Sequence, residues 1–88
     1  MLERYEEAKN CILKCKEIAQ HYDLKLIKAK AGILLSSILI KQKAPFSEVV
    51  LYLEQSEKIF FEMSWKDGVA DSMFLKAIAL INSINNKV

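Results

Sequence analysis

Apolar residues in this chain recur in steps of three and four, and that spacing restricts the fold before composition is considered. From Tyr5 the series runs through Ala8, Ile12, Cys15, Ile18, Ala19 and Tyr22, which places these side chains on one stripe of an α-helix. Glu3, Glu6 and Glu7 fall in the first turns and Lys14 and Lys16 further along, the order that suits the helix dipole. The first helix is expected over about 3–22.

Three more helices follow from the same reasoning. Asp23 is a candidate cap, because a short carboxylate accepts hydrogen bonds from an exposed first turn, and it opens a second helix over about 24–41. Pro45 marks the next connection and disfavours helix in the residue before it. A third helix over about 45–63 carries Phe46, Val49, Val50, Leu53, Ser56, Ile59, Phe60 and Met63 on a broad stripe. Ser64 and Asp67 stand three residues apart, as in a capping box, and open a fourth helix over about 65–84. Its expected core face is Val69, Ala70, Met73, Phe74, Ala77, Ile78, Ile81 and Ile84, ahead of a polar tail that starts at Asn85. Gly68 allows another helix to cross closely. Short connections predict antiparallel neighbours.

The 88 residues fit one domain spanning 1–88. A hydrophobic share of 52% against 27% charged excludes a disordered tail, and in so small a domain it leaves apolar surface for a neighbour. The net charge of +2 comes from alternating signs. Lys25, Lys28, Lys30, Lys41 and Lys43 thicken one region, but Arg4 is the only arginine, so a solvated face is expected and no nucleic acid. Ala31 to Ile40 is the most apolar stretch, half the roughly 20 residues needed to cross a bilayer, and it reads as a buried helix; no membrane is expected. The acidic start lacks the pattern of a signal peptide. With two cysteines, reduced thiols in an intracellular setting, cytoplasmic or nuclear, are expected.

The two halves of the chain align on themselves without a gap. Tyr5, Ala8, Ile12, Cys15 and Ile18 fall on Phe46, Val49, Leu53, Ser56 and Ile59, each 41 residues later. The same offset carries Lys25, Ala29, Leu34, Leu39 and Ile40 onto Lys66, Ala70, Leu75, Leu80 and Ile81. A fixed period of roughly 20 to 50 residues indicates stacked units. Here the sequence resembles the tetratricopeptide-repeat family, in its longer-repeat form, and is similar to the carboxy-terminal repeats of a scaffold subunit of the anaphase-promoting complex. The resemblance rests on small, bulky, small residues at Ala8, Ile12 and Cys15, repeated at Val49, Leu53 and Ser56, and on the turn from Phe60 to Ala70. Lys76 departs from it, standing where the family's first-helix motif usually has leucine. The resemblance implies an all-α fold of four antiparallel helices, stacked as helical hairpins in a segment of an α-solenoid. Such arrays need about three units and polar end caps, so a neighbour is expected to cover one or both ends.

Chemistry-bearing constellations are sparse. Cys11, Cys15 and His21 invite a zinc reading, but structural zinc takes four ligands, and Cys15 belongs to the expected core stripe, so no metal is expected. His21 is the only histidine, and the two glycines make no phosphate loop. No catalytic residue, no cofactor and no enzymatic activity are expected. Tyr52 and Phe61 are the preferred exposed partner contacts, with Trp65, Leu13 and Leu51 beside them and Leu26 and Leu35 as further off-stripe surface. The expected role is a protein-interaction or assembly scaffold that binds a protein or peptide. The alternative is an independent four-helix bundle that self-associates without catalysis.

Overall fold

The computed structural model describes residues 2–86. Its helices are α1 (Leu2–His21), α2 (Lys25–Lys41), α3 (Phe46–Glu62) and α4 (Lys66–Asn86), with no strand among the described residues. Met1, Lys87 and Val88, at the ends of the span read from the sequence, lie outside them.

The helix ends correct two expectations. Asp23 and Ser64 do not cap the helices that follow them; they have φ of 56° and 57° and close the helices that precede them. The Asp23 N–H donates to the Gln20 carbonyl at 3.4 Å and the Leu24 N–H to the Ala19 carbonyl at 2.7 Å. One left-handed residue thus turns two N–H groups back onto carbonyls that the helix end would leave unpaired. At the α3 end, Ser64 donates to Phe61 at 3.0 Å and Trp65 to Phe60 at 2.8 Å. Lys43, with φ of 59°, and Ala44 make the same pair of bonds to Ile40 and Leu39. Leu24, not Asp23, is the N-cap of α2, and no side chain caps it. Trp65 precedes α4, which takes Ser64 and Asp67 out of register for a capping box.

Packing is sequential. α1 lies on α2, α2 on α3 and α3 on α4; α2 also touches α4, and among the described residues α1 meets α3 only at side chains such as Lys16 and Tyr52 and does not pack on α4. The result is a slab of 42 × 30 × 17 Å between principal-axis limits. Leu35, Leu39, Val49, Leu53 and Ala79 form its core, with Ile12 and Leu75 packed against them. Leu35, expected at the surface, is only 2% exposed, because α2 is covered by three helices and has little free face.

Small residues set the distances between helices. The Ser56 Oγ donates to the Ala29 carbonyl at 2.9 Å, and a Cβ on Gly32 would collide with that hydroxyl, so α3 rests almost on the α2 backbone. Gly68 does the same for α4: it is buried, and a Cβ there would overlap the Phe60 ring. Gly68, Ser72 and Ala79 are therefore the buried side of α4, with Leu75 half-buried. Ser72 satisfies its hydroxyl by donating to the Gly68 carbonyl at 2.9 Å.

Candidate interaction surface

That close seating turns most of the expected core stripe of α4 outward. Ala70, Met73, Phe74, Ala77, Ile81 and Ile84 are all exposed, and Leu80 with them. Val69 and Ile78 are half-buried. The apolar period of α4 was legible in the sequence and its direction was not. The line Gly68, Ser72, Ala79 was the available signal, since helices approach closest over small residues.

A similar rotation corrects α1. Ala19 is buried and Ile12 half-buried, but Cys15 and Ile18 are exposed, because α2 is the main neighbour of α1 and one packed helix buries a narrow strip. Cys11 is exposed as well. Among the described residues no group of three or more His, Cys, Asp or Glu side chains is placed to hold a metal ion.

The five residues read from the sequence as partner contacts do not form one surface. Phe61 is 74% exposed and lines an open groove of about 510 Å³ between α3 and α4, together with Glu57, Val69, Met73, Ala77 and Leu80. Trp65 lies on a different groove with Phe60 of α3, Gly68 and Asp71 of α4 and Lys30, Ile33 and Leu34 of α2; the Lys30 Nζ sits 5.2 Å from its ring centre. Leu13 and Tyr52 come together in a third groove, between α1, α2 and α3. Tyr52 is a correction: it is half-buried, packed against the core, with the Lys16 Nζ 4.5 Å from its ring centre. Leu51 is exposed on α3.

Two of these grooves correspond in register. Lys16, Gln20 and Lys28 line the groove between α1 and α2, and Glu57, Phe61 and Val69, each 41 residues later, line the groove between α3 and α4. In the first groove α3 supplies a further wall through Tyr52. Among the described residues no helix walls the second in the same way.

Charged side chains both line these grooves and tie the helices together. The Gln42 Nε2 donates to Glu6 at 3.1 Å and Lys9 donates to Gln42 at 3.3 Å, tying the start of α1 to the end of α2. Hydrogen bonding from Gln42, then from Lys9 and its charge, holds the Glu6 carboxyl below the usual range. Partial burial, aided by the charge of Lys28, lowers the Lys16 ammonium from its ordinary value. Lys76 pairs with Glu54 at 3.3 Å, bridging α3 and α4.

No family model, curated protein or solved structure matches the chain. No helix among the described residues is long and apolar enough to cross a membrane.

Proposed function

We propose that this chain is a protein-interaction and assembly segment, built of tetratricopeptide-like antiparallel hairpins, that seats a partner helix on the outer face of α4. The observation that supports this best is a register one. Ala29, Gly32, Ser36 and Leu39 are four of the six buried positions of α2, and Ser56 of α3 lies directly against two of them. The positions 41 residues later, Ala70, Met73, Ala77 and Leu80, are exposed. α4 thus presents the surface that α2 has covered, and a further helix would complete it.

Other features agree with this arrangement. The bonds of Gln42 to Glu6 and Lys9 put the beginning of α1 beside the end of α2, as antiparallel neighbours require. A closed four-helix bundle would bring α1 against α4, and among the described residues those helices do not touch. Apolar anchors at Phe61, Met73 and Ile81 would supply affinity, and Glu57 and Lys76 at the groove would supply selectivity. Binding of this kind asks for no catalytic group.

Site-specific photo-crosslinking in the cells that make the protein tests this. A photoreactive residue at Met73 or Ile81 is expected to capture a defined protein species, and the same residue at Asn10, exposed on α1, is not. Capture from all three positions alike, or from none, would remove the assignment.

A further inference from the structure

We propose that the helix seated on α4 is α1 of a second copy of this chain, so that molecules stack head to tail as α3 stacks on α2. The proposal rests on the docking face described above and adds the identity of its occupant.

The complementary face lies on α1. α3 reaches α2 through Ser56 and the backbone at Tyr52, which lie against Gly32. The residues 41 earlier are Cys15 and Cys11, both exposed on α1. Ile18 continues the stripe, 57% exposed, and corresponds to Ile59 of α3, which is half-buried. α1 therefore carries, uncovered, the face with which α3 meets α2, and α4 carries, uncovered, the face with which α2 meets α3.

Side chains at the two faces differ from those of the α2–α3 contact in one main respect. Met73 stands in the place of Gly32 and adds a long side chain, while Cys15 stands in the place of Ser56, a residue of similar size. Methionine adapts readily to an uneven opposing surface.

The exposed area comes close to the lower end of what a specific interface buries. The chain exposes 6382 Å², against about 5,300 Å² for a folded monomer of this mass, a surplus of roughly 1,100 Å². Specific interfaces bury about 1,200–2,000 Å² counted over both partners. In a head-to-tail stack each copy gives up its α1 face once and its α4 face once, so the surplus per copy is compared with one whole interface. Unlike faces meeting in this way make an open-ended assembly instead of a closed pair.

Sedimentation velocity on the full chain, with Cys15→Arg and Met73→Glu variants, tests the proposal, and circular dichroism confirms that each variant is helical. Ile81→Lys serves as a second block of the α4 face. The wild type is expected to gain mass with concentration, each variant alone to remain monomeric, and a mixture of Cys15→Arg with Met73→Glu to form a dimer and nothing larger, through the one intact face of each. A wild type that stays monomeric, or a Cys15→Arg chain that still self-associates, overturns it. Maleimide labelling of Cys15 at high dilution separates this failure from that of the underlying reading. Fast labelling without assembly rejects the second copy and leaves the α4 docking face standing, whereas slow labelling in a monomer means that α1 is covered within its own chain and removes both.

Discussion

Three residues with positive φ decide how this chain turns. Asp23, Lys43 and Ser64 each occupy the left-handed region, where a side chain other than glycine costs about 1–2 kcal/mol. Aspartate offsets part of this cost by local hydrogen bonding, and serine hydroxyls bond local backbone similarly but more weakly; lysine has no such recourse. Lys43→Gly should therefore stabilise the fold by about 0.5–1 kcal/mol, the relief being reduced by the greater freedom of glycine in the unfolded chain. Urea denaturation with an unchanged slope measures this, and a lower midpoint would contradict the left-handed assignment. Sequence reading took Asp23 and Ser64 for N-caps because residues that cap a helix start also tolerate the turn just past a helix end. The two roles share a composition and differ in backbone angle.

Among the helices, α4 shows how a single glycine orients a whole element. Its large apolar residues form a regular stripe, and the helix nevertheless buries Gly68, Ser72 and Ala79. The Phe60 ring packs where a Gly68 Cβ would be, and only that face lets the hairpin close. Two substitutions separate the faces. Gly68→Ala gains about 1 kcal/mol of helix propensity but forces a methyl into the buried ring, an overpacking cost of about 1–3 kcal/mol, so net destabilisation is expected. Ile81→Gln removes a large hydrophobe and should change stability by no more than about 0.5 kcal/mol in a dilute monomer, as surface replacements do. Thermal melts of the two variants check the pair; a larger loss for Ile81→Gln would place the stripe back in the core.

At the level of the whole molecule, sequential packing makes cohesion uneven. α2 is packed against all three other helices, and α1 chiefly against α2. Local opening draws on the least covered elements, so amide exchange should be slowest in the middle of α2, around Ser36 and Leu39, and faster throughout α1. Uniform protection across α1 and α2 would instead indicate that α1 is covered on a second side. Four helices and their approximate bounds were open to sequence reasoning, because periodicity, Pro45 and the short connections act locally along the chain. Which stripe faces inward was not. Met73 and Ile81 have the spacing and hydropathy of core residues, and Cys15 sits midway along an apolar series, yet all three are exposed. Burial depends on how many helices stand around an element and how near each can come. That is decided by contacts such as Phe60 against Gly68 and Ser56 against Gly32, between residues that only the folded chain brings together.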